Sequence, residues 1–106
     1  MNYELQAAID SRNDGMRRAD EHAVATIDGW HEMVDNMMSF FLLHQRKPFL
    51  AEEFVKYCAG KIPPPPDGRA FGPVFARAQR AGKIYKNGYA LALSSNLSPK
   101  VLWVKA

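Results

Sequence analysis

The sequence predicts an α+β chain in which helices come first and an antiparallel hairpin last, around one core. Two observations carry this expectation. Apolar residues recur at helical spacing as far as Ala81 and then, from Lys83 onward, alternate with a period of two. A chain of 106 residues, 47% apolar and 24% charged, supplies one hydrophobic core but not two, and its composition is far from that of a disordered chain.

Residues 1–27 read as a helical extension and residues 28–106 as the domain proper. In the extension Leu5, Ala8 and Ile9 fall at helical spacing, Asn13-Asp14-Gly15 is expected to break the chain, and Met16 to Ala25 resumes a helix. A firmer helix follows, with Asp28 as N-cap and Trp30, Met33, Val34, Met37 and Phe41 forming one apolar stripe to about Gln45. Lys47 precedes a proline and is pushed out of helical geometry, so Pro48-Phe49-Leu50 is extended. A short helix over 51–59 carries Glu52 and Glu53 in its first turn, buries Phe54, Val55 and Cys58, and stops at Gly60.

The four prolines Pro63 to Pro66 form a stiff spacer. Asp67 then caps a third helix over 68–81, whose inner face is Phe71, Val74, Phe75 and Ala78 and whose outer face is basic with no acid on it. Pro73 requires that this helix bend or start late. Beyond Gly82, Tyr89 and Leu91 alternate with Ala90 and Ala92, and Val101 and Trp103 with Leu102 and Val104, predicting two paired strands. The polar run 94–100 is their projecting tip, and Trp103 packs against Phe75 or Ile84.

Helix, short extended segment, short helix, helix and long-tipped hairpin is the order of a winged helix-turn-helix domain, a three-helix core with an antiparallel β-hairpin wing, here preceded by the helical extension. The run from Pro63-Pro64-Pro65-Pro66-Asp67-Gly68-Arg69-Ala70-Phe71-Gly72-Pro73 through Arg80-Ala81-Gly82-Lys83-Ile84, with Gly88-Tyr89, Ser94-Ser95-Asn96, Ser98-Pro99-Lys100 and Trp103, resembles small uncharacterised winged-helix proteins of bacteriophages and prophages. The likeness spans about residues 28–104. That family usually carries Trp where this chain has Phe71, an apolar residue such as Leu where it has Lys83, and Ser or Thr at the cap where it has Ala51; Phe71 keeps the packing role. The resemblance implies the winged-helix fold, a phage setting and DNA binding.

Charge is divided unevenly. Residues 1–58 hold ten acids and six bases, whereas residues 59–106 hold one acid, Asp67, and eight bases. The basic half is where a polyanion would bind. Candidate contacts to double-stranded DNA are Arg69, Arg77, Gln79 and Arg80 on the helix 68–81 and Ser95, Asn96 and Lys100 on the wing tip 94–100. Arginine forks onto guanine and glutamine onto adenine, while the wing residues suit phosphate or the minor groove. The expected role is regulation of transcription or replication. The alternative is a small protein that binds and inhibits or adapts a host protein through its helical, acidic N-terminal half, with Leu42 and Leu43 available for the interface. The same N-terminal helices are the spare surface for a homodimer.

No enzymatic chemistry is expected. Ser94 and Ser95 have no histidine nearby, Cys58 falls on an inner face, and no pair of carboxylates sits in a glycine-rich context. His22, His31 and His44 lack metal-ligand spacing, so neither metal nor cofactor is expected. One cysteine, no signal-type N-terminus and no apolar run of membrane length predict a cytoplasmic protein, in the host cell if phage-encoded.

Overall fold

The computed structural model describes residues 3–92 and 98–106. It is an α+β arrangement of four helices and one two-stranded antiparallel hairpin: α1 (Tyr3–Thr26), α2 (Trp30–His44), α3 (Ala51–Cys58), a 3-10 turn (Gly68–Ala70), α4 (Phe71–Arg80), β1 (Ile84–Ala92) and β2 (Ser98–Lys105).

α1 is continuous, and the break expected at Asn13-Asp14-Gly15 does not occur. Asp14 accepts from Arg17 Nη2 at 2.6 Å and pairs with Arg18 at 2.8 Å, while Arg17 reaches Glu21 at 3.2 Å. These i,i+3 and i,i+4 pairs tie the turn-prone triplet into the helix. The Arg17 hydrogen bond holds the Asp14 carboxyl below the usual carboxylate range. Gly15 is also seated from outside, since the Arg69 guanidinium lies where a Cβ at that position would go.

The chain reverses at Gly29, not Asp28. Gly29 is the N-cap of α2 in the left-handed region, at φ 72°, where glycine meets no steric cost. α2 buries Trp30, Val34, Met38, Phe41 and Leu42, leaving Met33 and Met37 half-buried. The buried stripe is thus rotated toward Leu42 relative to the one expected, because α3 and α4 both pack on that side. Trp30 Nε1 is buried without an acceptor among the described residues, and its ring meets Phe71 edge-on at 5.6 Å.

Phe49 is extended, as Pro48 requires, and exchanges two backbone hydrogen bonds of 2.8 Å with Trp103. α3 starts where the Leu50 N–H donates to Glu53 Oε2 at 2.7 Å, the glutamate half of a capping box. It buries Phe54 and Cys58, but Val55 is 37% exposed. So short a helix presents only one line of residues inward, and Val55 turns instead toward Ile62, Pro63 and Pro64. Asp67 caps as expected, accepting the Arg69 N–H at 2.9 Å. The α-helix starts late, at Phe71, which puts Pro73 in the first turn, where its missing N–H leaves no hydrogen bond unmade.

β1 and β2 pair Ile84 with Lys105, Lys86 with Trp103, Tyr89 with Val101 and Ala92 with Ser98. The register shifts between Lys86 and Tyr89, where Gly88 adopts φ 79°, the left-handed conformation a bulge uses. β2 begins at Ser98, so Pro99 and Lys100 belong to the strand and not to a loop tip.

The core is an aromatic relay. Phe49 and Phe54 flank Phe41 at 4.9 and 5.6 Å, Phe54 meets Phe75 at 5.6 Å, and Phe75 stacks on Trp103 at 5.5 Å. Trp103, 7% exposed, is the hairpin's main contribution to this core together with Ile84. Trp103→Ala should therefore lower stability by about 3–5 kcal/mol, the range for large aromatic truncations. Urea denaturation followed by circular dichroism checks it; an unchanged midpoint would mean that the hairpin is not anchored by this ring.

Candidate nucleic-acid interface

The seven residues singled out from the sequence have different fates. Arg69 is exposed but its guanidinium is held by Asp67: Nε lies 3.0 and 3.2 Å from the two carboxylate oxygens and Nη2 2.7 Å from one. That pairing, with the backbone hydrogen bond from Arg69, keeps the Asp67 carboxyl below the usual carboxylate range.

Arg77 departs most from expectation. It is only 23% exposed and donates through Nε and Nη2 to the Asp35 carboxylate of α2 at 3.1 and 2.8 Å, with Asp20 of α1 a further 3.8 Å from Nη1. Asp20 is in turn 2.9 Å from His31 Nε2 through both its oxygens. The outer face of α4 carries no acid of its own, as expected, but it meets acids of neighbouring helices. The acids come from α1 and α2, which pack beside it.

Gln79 and Arg80 are exposed in the last turn of α4. Lys100 is exposed on β2, opposite Ala90, and lines a cleft of about 360 Å³ with Leu50, Glu52, Phe75, Val101 and Trp103. Ser95 and Asn96 lie outside the described residues. Three of the seven, Gln79, Arg80 and Lys100, are thus both described and available to a ligand.

The structure adds bases that the motif reading passed over. Lys83 donates to Ser39 Oγ at 3.2 Å, Lys86 stands 6.0 Å from the Trp103 ring centre, and Lys105 is exposed near the end of β2. Their signal was in the sequence all along, because no Asp or Glu follows Asp67. Arg80, Lys83, Lys86, Lys100 and Lys105 are all exposed, and no acid forms an ion pair with any of them among the described residues. Two tyrosines stand among them, Tyr85 and Tyr89, the latter 72% exposed.

The other half of α4's outer face is covered. α1 lies across the 3-10 turn and the first turns of α4, with Asn13, Met16 and Asp20 facing Gly72, Pro73 and Ala76. Ala19 and Ala23 of α1 are buried in this contact with the domain.

Among the described residues no group of His, Cys, Asp or Glu is placed to hold a metal ion, and no helix is long and apolar enough to cross a membrane. Burial pushes the Cys58 thiol up to about 11, against a smaller opposing effect of Lys61. A buried thiol of this kind is inert at neutral pH. Comparison with protein-family models, with curated proteins and with solved structures gave no match to this chain.

These environments make three predictions. Arg77→Ala should cost about 1–2 kcal/mol in urea denaturation, because it strands the Asp35 carboxylate in a half-buried contact, whereas Arg80→Ala should stay within about 0.5 kcal/mol. Cys58 should react with a thiol reagent at pH ~8 only after denaturation. Because an unfolded cysteine loses its proton near its ordinary value of 9.0 and the native one near 11, the native state holds the extra proton between them. Stability should fall as pH rises through that window, less so in Cys58→Ala.

Proposed function

We propose that this chain is a winged-helix protein that binds double-stranded DNA and acts in regulation of transcription or replication in a phage setting. Its contact surface is the hairpin together with the last turn of α4. The observation that supports this best is the group of exposed cations, Arg80, Lys83, Lys86, Lys100 and Lys105, in a segment without a single acid. Such a surface attracts a polyanion, and phosphate contacts supply the larger part of affinity for duplex DNA. The element order of four helices followed by a hairpin, with Phe49 paired to Trp103 beside it, is compatible with the helix-turn-helix arrangement. Gln79 and Arg80, exposed in the last turn of α4, are the side chains of that helix that this reading assigns to base contacts.

The exposed pair Phe40 and Leu43 on α2, 51% and 66% exposed, favours a second reading, binding of a host protein. Leu42 is buried and Leu43 is not, so the interface would rest on Phe40 and Leu43.

Fluorescence anisotropy on a labelled duplex of about two helical turns, titrated between ~50 and ~200 mM salt, separates the readings. Wild-type protein should bind with log affinity falling linearly in log salt. Arg80→Ala/Lys86→Ala/Lys100→Ala should flatten that slope by about 2–3 units, at roughly 0.9 per phosphate contact. Arg17→Ala/Arg18→Ala, which removes two bases of α1, should leave it unchanged. Absence of binding even at ~50 mM salt would overturn the DNA reading in favour of a protein partner, then tested with Phe40→Ser/Leu43→Ser.

A further inference from the structure

We infer that the side of the hairpin carrying Trp103, together with the cleft beside it, binds an unpaired strand of DNA: Tyr89 stacks on one base, the cleft seats a neighbouring base, and Lys86 and Lys100 meet the phosphates. This rests on the DNA reading above for its polyanion and deepens it by giving the target an unpaired segment.

The strand register brings the parts together. Residues two apart on a strand share a face, and so do residues paired across two strands. Pro99, Val101 and Trp103 of β2 therefore lie on one side of the hairpin with their partners Leu91, Tyr89 and Lys86. Trp103 is anchored in the core at one end of this row, and Leu91 is 61% exposed at the other. Tyr89 stands between them, 72% exposed, and makes no ring contact or hydrogen bond among the described residues. Val101 and Trp103 also line the cleft of about 360 Å³, facing Leu50, Gly72 and Phe75. Small-ligand pockets span about 300–1,000 Å³ and are likewise apolar with a few polar groups at fixed points.

The charges select the occupant. Neither strand carries an acid. Lys86 stands beside the Trp103 ring, and Lys100, which lines the cleft, adjoins the Val101 that pairs with Tyr89. A cationic strip with a free aromatic ring is the composition of surfaces that hold single strands. Duplex DNA can use the lysines but neither the ring nor the cleft, because its base faces are stacked on one another; an unpaired strand offers base faces and phosphates together. Glu52 is the acid among the cleft residues and makes no hydrogen bond or ion pair among the described residues. Set against a base, its carboxylate accepts from the N4 amino group of cytosine and is repelled by the O4 of thymine.

Fluorescence anisotropy on the full chain tests this. Wild-type protein should bind labelled dC and dT strands of about 12 nucleotides, the dC strand at least about threefold more tightly. Tyr89→Ala should weaken both at least about fivefold, the low end of base–aromatic stacking, whereas Tyr89→Phe, which keeps the ring, should stay within about twofold of wild type. Affinity of Tyr89→Ala for the labelled duplex should change by less than about twofold, since duplex contacts go to phosphates and base edges. Circular dichroism should be the same for all three proteins, because Tyr89 lies outside the core.

Equal single-strand affinity of wild type and Tyr89→Ala would overturn the inference while leaving the duplex reading intact, as would an equal loss on single strand and duplex. A dC strand bound no more tightly than dT would overturn the seating of a base in the cleft. Single-strand binding without duplex binding would overturn the duplex reading and keep this one. Absence of binding to either at ~50 mM salt would overturn both, and the exposed apolar side of the hairpin would then belong to a protein partner.

Discussion

The pairing of Trp103 with Phe49 and Phe75 is the contact on which the rest of the structure depends. Its backbone closes two hydrogen bonds with Phe49, which fixes the connector between α2 and α3 against β2. Its ring stacks on Phe75 and so fixes α4 against the same strand. Three segments distant in the chain thus meet at one residue, and an isolated two-stranded hairpin, marginal on its own, becomes part of the domain. The bulge beside Gly88 lies directly beyond this anchor. From there outward the hairpin leaves the core, which is why Tyr89 and Leu91, on the same face as Trp103 by register, are exposed and not buried.

Charge placement follows from that geometry. The acids of the N-terminal half lie on α1 and α2, and those two helices flank α4, so Arg77 is neutralised inside the chain while Arg80, one turn closer to the hairpin, is not. The free cations therefore lie at the end of α4 and the base of the hairpin (Arg80, Lys83 and Lys105), opposite Trp103 (Lys86) and beyond it (Lys100). Sequence arithmetic locates the basic half, but only packing decides which of its members keep their charge for a partner.

What was legible in the sequence was local. The Asp67 cap, the late start of α4 imposed by Pro73, the extended Phe49 after Lys47-Pro48 and the burial of Trp103 against Phe75 all follow from propensity and period. What was not legible was decided by contacts between distant residues. Asn13-Asp14-Gly15 has the composition of a turn, yet the Arg17 and Arg18 pairs with Asp14, and Arg69 arriving at Gly15 from the next layer, keep it helical. Arg77 and its partner Asp35 are 42 residues apart, and nothing in the spacing of either announces the other. The buried stripe of α2 is set by which side α3 and α4 occupy, so Met33 and Met37 yield to Met38 and Leu42.

Energetic weight is distributed as unevenly as charge. Burying the side chains of Ala19 and Ala23 contributes about 1–2 kcal/mol together, whereas truncating a single large ring of the core costs about 3–5 kcal/mol. The Arg17 and Arg18 pairs with Asp14 and Glu21 form within α1 and stiffen it, whereas Asp20 reaches out of the helix to His31 of α2 and Arg77 of α4. α1 is therefore tied both within itself and, through Asp20, Ala19 and Ala23, to α2, the 3-10 turn and α4. Gly15 and Gly72 complete this packing, since a Cβ at either position would require the Arg69 guanidinium or the Met16 thioether to move aside.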